Sequence, residues 1–157
     1  MSEQSFLLQR VQPAMIGLID GSLSTLAPIF GIVFYTQKPH AAFVAGLATA
    51  IGAGISMAFS EGLSDTGELT GRGSPAVRGG ITGIATFIGG ILHTLPFLIP
   101  EYHAAVIAAV IVVAFELVGL AVLRWRFFAT SFGRSLLAVS IGGAVIAVAG
   151  ALIGSGA

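Results

Sequence analysis

Five long apolar runs dominate the chain, at about residues 14–36, 41–62, 79–100, 104–123 and 135–155. Each comes near the roughly 20 residues that a helix needs to cross a bilayer core. None shows sustained alternation of apolar and polar residues, so half-buried strands are a poor alternative. The breaks between runs are short and polar. Lys38-Pro39-His40 divides the first pair, and a stretch from Asp65 to Arg78 with Gly71, Gly73 and Pro75 divides the second. Pro100-Glu101 ends the third run and Arg124-Trp125-Arg126 the fourth. The pattern predicts an all-α polytopic membrane protein, one domain over residues 1–157 with five transmembrane helices. Pro28 lies inside the first run, and its missing N–H predicts a kink there.

Composition agrees with that class. Mean hydropathy is +0.98, and only 9% of residues are charged, against about a quarter in soluble domains. Net charge is zero, so no long-range field argues for nucleic acid as a partner. The chain has no cysteine, which removes disulfides, thiolate metal sites and iron–sulfur clusters. Residues 1–13 lack the basic segment and cleavage site of a signal peptide, so the first run is expected to stay as a span. With the N-terminus in the cytoplasm, Arg10, Arg72, Arg78, Arg124, Arg126 and Arg134 all fall inside and only Lys38 outside. That asymmetry predicts this orientation, with the C-terminus outside. The 22 glycines concentrate in the spans, including Gly79-Gly80, Gly83, Gly89-Gly90, Gly142-Gly143 and Gly150; close helix packing explains most of them.

The polar residues inside the runs carry the candidate chemistry. Asp20 lies in the first span, where a carboxylate costs ~3 kcal/mol on insertion scales and marks function by default. No Lys or Arg lies in a neighbouring span to neutralise it. Met57, Glu61 and Asp65 recur every fourth residue, hence on one helix face, and lead inward from the cytoplasmic side, with Glu68 at the mouth. Carboxylates beside a thioether suit a divalent ion of intermediate softness such as Fe²⁺. Read singly, Met57 is ordinary core filler, and Glu61 and Asp65 merely solvate a helix end. Glu116, in the inner half of the fourth span, reads as a metal ligand, a proton carrier or a protonated group hydrogen-bonding across helices. His93 falls in the outer half of the third span, where a proton-relay or exit role stands beside plain packing. His40 and His103 sit at the outer edges. No nucleophile-and-base pair or catalytic motif appears, so no catalytic residue and no enzyme is expected.

At these residues the sequence resembles the vacuolar iron transporter family. Gly17-Leu18-Ile19-Asp20-Gly21 matches the family's first-span motif. Gly46-Leu47-Ala48, Ile55-Ser56-Met57 and Glu61-Gly62-Leu63-Ser64 match its second-span pattern. Ser64-Asp65 through Gly71-Arg72-Gly73, His93-Thr94-Leu95-Pro96-Phe97-Leu98 and Glu116 look closest to the membrane domain of membrane-bound ferritins (erythrin–iron transporter proteins), without their ferritin-like domain. The resemblance implies a five-helix protomer, a homodimer with the path at its interface, and export of ferrous iron in exchange for protons. It also implies that Asp20 and Met57 line the path, with Glu61 as a mouth ligand. Three features depart from the pattern. Thr49 stands where many members carry a glutamate, the long glutamate-rich insert between spans two and three is missing, and so is the ferritin-like domain. Metal capture would then rest on Glu61, Asp65 and Glu68, with Glu116 a candidate for the missing ligand.

The leading expectation is a proton-coupled exporter in the bacterial inner (cytoplasmic) membrane. Its partners are lipid, protons and a divalent ion, Fe²⁺ first and Mn²⁺ next, carried as substrate with no permanently bound cofactor. Two alternatives belong to other classes. A non-transporting anchor or assembly partner for a ferritin-like protein would have no reason to keep Asp20 and Glu116 in hydrocarbon. A small exporter of organic cations in exchange for protons would leave the stripe of Met57, Glu61 and Asp65 unexplained.

Overall fold

A computed structural model describes residues 2–156; Met1 and Ala157 of the expected domain lie outside the described residues. Five helices long and apolar enough to cross a membrane are present. They are α1 (Glu3–Thr36), α2 (Pro39–Ser64), α3 (Pro75–Leu92), α4 (Tyr102–Phe127) and α5 (Phe132–Gly156). Among the described residues there is no strand. Successive helices pack on one another except α3 and α4, between which the turn at Leu95–Leu98 intervenes. The helices begin on appropriate residues: Pro39 and Pro75 sit in first turns, where a missing N–H costs nothing. Glu101 caps α4 by accepting the His103 N–H at 2.8 Å and that of Ala104.

Two boundaries differ by more than four residues from those the hydropathy pattern predicts, and prolines or local bonds account for them. Helix α1 begins at Glu3, well before residue 14, and passes through a π-helical turn at Leu7–Val11 just ahead of Pro13. Helix α3 stops at Leu92, and Leu95–Leu98 forms a 3₁₀ turn instead of continuing the span toward residue 100. Pro96 has no N–H to give the Leu92 carbonyl, so the α-helical ladder cannot run on. Pro28 also acts as expected, and its effect falls three residues upstream. The helical run breaks at Thr25, because the Ser24 carbonyl has lost its partner four residues on.

Packing divides the molecule into two ends. At the Lys38 end, Leu26, Ile29, Phe30, Val33, Ala42, Phe97, Ala105 and Ala109 form the buried apolar core. There the second half of α1 meets the starts of α2 and α4 and the 3₁₀ turn. The opposite end carries the six arginines and is held by polar links. The Gln9 side chain donates to the Gly71 carbonyl at 3.1 Å, tying α1 to the α2–α3 turn. Between the ends, α3 packs closely on both α1 and α2. A Cβ on Gly83 would sit 2.6 Å from the Gly54 carbonyl oxygen, and one on Gly89 2.7 Å from that of Leu18. Large side chains such as Phe59, Phe115, Val145, Leu152 and Ile153 are 62–74% exposed. An apolar surface of that extent suits lipid, not water.

Candidate functional site

The first polar cluster closes the arginine end of α2 and α3. Glu61, 8% exposed, sits in the last turn of α2. Its Oε1 accepts from Arg72 Nη2 at 2.7 Å and from Arg78 Nε at 2.8 Å. Arg78 is wholly buried in the first turn of α3. It also donates to the Gly73 carbonyl at 2.9 Å and approaches Asp65 Oδ2 at 3.3 Å. Asp65 ends α2, and its Oδ2 accepts from Arg72 Nη1 at 3.1 Å. Its other oxygen takes the Gly67 N–H and the Thr70 hydroxyl, the latter at 3.1 Å. Gly67, Gly71 and Gly73 all adopt positive φ, which glycine does without strain, so the turn folds back over these carboxylates. Desolvation alone would raise the Asp65 carboxyl. The Gly67 N–H, the Thr70 hydroxyl and the guanidiniums of Arg78 and Arg72 outweigh it and hold its pKa below the usual carboxylate value.

Glu61 and Asp65 are therefore side by side, as their spacing predicts, but each is engaged by arginine. Sequence reasoning missed the two arginines. The available signal was their placement on either side of Pro75, next to a stripe of acids in a chain poor in charge. Glu68 lies exposed on the turn beyond them.

A second cluster joins α1, α3 and α4. His93 caps the C-terminus of α3 and is 1% exposed. Its Nδ1 lies 2.7 Å from Glu116 Oε2. Its Nε2 lies 2.5 Å from Thr25 Oγ1, at the break in α1. The Thr25 hydroxyl also reaches the Gly21 carbonyl at 3.0 Å. The other Glu116 oxygen, Oε1, is buried without a hydrogen-bond partner. This corrects the depths predicted from the sequence, which put Glu116 in the inner half of the membrane and His93 in the outer half. Counting rise from helix ends assumed spans of one length with level ends, whereas α3 has 18 residues and α4 has 26. Thr25 escaped the sequence reading altogether; only its nearness to Pro28 pointed to it.

Asp20 stands apart from both clusters. It is half-buried on α1, between the exposed residues Ile16 and Ser24 of the same stripe. Among the described residues, no hydrogen bond or ion pair engages its carboxylate. Its neighbours Gly17 and Gly21 pack against the Thr82 and Thr86 backbone of α3. Met57 is half-buried on α2. Thr49, where a glutamate was expected, gives its hydroxyl to the Ala45 carbonyl at 2.8 Å. No group of three or more His, Asp or Glu residues able to hold a metal ion occurs among the described residues.

The fold and these buried ionisable groups define a polytopic helical membrane protein with charge chemistry inside its spans. Residues 11–70 match the model of the VIT family, a family of membrane metal-ion transporters and not of enzymes. The matched segment takes in Asp20, Met57, Glu61, Asp65 and Glu68, so the likeness to this family rests on the first two spans and the turn that follows them. Comparison with curated proteins and with solved structures gives no match.

Proposed function

We propose that the protein is a proton-coupled exporter of divalent metal, Fe²⁺ first and Mn²⁺ next, acting as a homodimer in the bacterial inner membrane. The observation that carries this reading is the isolation of Asp20. The other acids of the spans are spoken for: Glu61 faces two arginines and Glu116 faces a histidine. Of these three acids Asp20 alone has no partner among the described residues, in a position where an idle carboxylate is expensive. A cation is the natural occupant, and Met57 supplies a thioether that favours Fe²⁺ over Mg²⁺ or Ca²⁺.

One copy of the chain offers too few ligands, and a dimer would supply Asp20 and Met57 twice. Glu68, exposed beyond the arginine cluster, would collect ions from the cytoplasm. Glu61 and Asp65 would become ligands only if Arg72 and Arg78 swung aside. Export is what the family resemblance implies, and the positive-inside orientation would put the acids Glu61, Asp65 and Glu68 on the cytoplasmic side, where the ion would enter. Coupling follows because carboxylate ligands must be deprotonated to bind metal, so protons and metal compete for the site.

Fe²⁺ flux into proteoliposomes under reducing conditions tests the path. Asp20→Asn should abolish flux, and Met57→Ala should weaken it and shift preference toward harder ions. Wild-type flux in both variants would show that the ion passes elsewhere.

A further inference from the structure

Two proline-induced interruptions meet in the middle of this bundle. Pro28 breaks α1 at Thr25, and Pro96 ends α3 just before His93. Glu116 reaches the same point from α4. The hydrogen-bond directions can be assigned by elimination. The backbone N–H of Thr25 turns to the Leu23 carbonyl, leaving the Gly21 carbonyl to the Thr25 hydroxyl proton. With its proton committed there, Thr25 Oγ1 acts as acceptor toward His93 Nε2, which must therefore carry a hydrogen. That leaves Nδ1 facing Glu116 Oε2 at 2.7 Å.

Two bare lone pairs do not rest at such a distance, so one proton lies between Nδ1 and Oε2, whichever atom holds it. With that proton the pair has no net charge; without it, one negative charge remains in an apolar interior and the contact fails. The second carboxylate oxygen, buried and unpartnered, has nothing nearby to compensate such a charge. The surroundings offer no substitute. On α1 the apolar span holds Asp20 and the exposed Tyr35 near its end, and α2 has only His40 and Glu61 at its ends. Arg78 lies at the far end of α3, α4 has Tyr102 and His103 in its first turn and Arg124 and Arg126 in its last, and α5 carries Arg134 in its first.

We propose that His93 and Glu116, latched to α1 through Thr25, form a one-proton binding site that serves as the proton carrier of the transport cycle. The inference rests on the transport reading above and deepens it. It assigns Glu116 to the proton, not to the metal, and separates the proton site from Asp20. Asp20 lies on α1 one turn before the break at Thr25, and the proton site packs against the break itself. Loss of the proton breaks the contact of His93 with Glu116 and leaves Thr25, on the helix that bears Asp20, held by His93 without the anchor on α4.

Proteoliposomes holding a trapped pH dye and challenged with Mn²⁺ test the proposal. In the wild type, Mn²⁺ movement should be matched by proton movement in the opposite sense. In Glu116→Gln and in His93→Gln, the Mn²⁺-linked proton signal should fall to the vesicle leak. An unchanged ratio of protons to Mn²⁺ in both variants would overturn the assignment. Absence of Mn²⁺ movement in the wild type would sink the transport reading instead. The proton site is then judged by infrared titration of the solubilised full chain with ring-labelled histidine. That second measurement needs no variant, so it also decides the matter if the substitutions prevent folding. One protonation step shared by the His93 ring and a buried carboxyl supports the site. Separate steps for the two groups, or a histidine ring that never responds to the carboxyl, overturn it.

Discussion

Arg78 shows how much of this molecule depends on single polar contacts. A wholly buried guanidinium is tolerated because Glu61, the Gly73 carbonyl and Asp65 surround it. Removing one partner of a buried ion pair strands the other, at a typical cost of ~3–5 kcal/mol. Here Arg72 still reaches Glu61, so Arg78→Met should fall at the low end of that range. The double variant Arg78→Met, Glu61→Met should recover much of the loss, because an apolar pair needs no compensation. Thermal melting in detergent distinguishes the two. Asp65 adds a pH dependence of known sign. Its folded pKa is depressed, so its contribution is present above the unfolded value of about 3.9 and is lost as pH falls through the folded value. Hydrogen-exchange protection in residues 65–73, taken relative to the intrinsic rate at each pH, should fall on acidification through that window, and Asp65→Asn should show the lower protection already at neutral pH. Asp20 was legible in the sequence because its expense is local: one acid in one apolar run. The arginine pairs and the contact of His93 with Glu116 were not, since they depend on which helices adjoin and at what level.

At the scale of the helix, the number and kind of elements follow from hydropathy alone, while their ends and faces do not. The third span looked longer than it is because Leu95 to Ile99 is apolar enough to read as membrane helix. Only the missing N–H of Pro96 stops it. Glycine pairs teach a similar lesson. Gly79 and Gly80 are equivalent in the sequence, yet a Cβ on Gly79 would lie 2.5 Å from the Ala58 carbonyl oxygen and one on Gly80 meets nothing within 4 Å. Gly80→Ala should therefore be neutral or stabilising, by up to ~1 kcal/mol from helix propensity. Gly83→Val should do the reverse. Its Cβ alone would press on the Gly54 carbonyl and on Ala58 Cβ, at 2.6 and 2.7 Å. Backbone cannot yield as a side chain does, so the cost should reach at least the ~1–3 kcal/mol of ordinary overpacking. Melting temperatures of the two variants, measured in one detergent, should move in opposite directions.

At the scale of the whole molecule, the question is what covers each face. Most of the exposed surface is apolar and suits lipid, but the α1 stripe of Ile16, Asp20 and Ser24 is not uniformly so. A carboxylate facing hydrocarbon is the least favourable arrangement available to the chain, and a second copy would relieve it by closing a polar path between the two. The proposed dimer should therefore meet along this stripe. The absence of cysteine makes the test clean, since any disulfide must come from the residue introduced. Ser24→Cys should form a cross-linked dimer when membranes are oxidised. Ile141→Cys, on the exposed side of α5, should stay monomeric under the same treatment. Metal bridging Asp20 across the interface should draw the two stripes together, so Mn²⁺ should raise the yield for Ser24→Cys and lose that effect when Asp20→Asn is added. Efficient cross-linking through Ile141→Cys with none through Ser24→Cys would place the interface on α5 and leave Asp20 without a partner from a second copy.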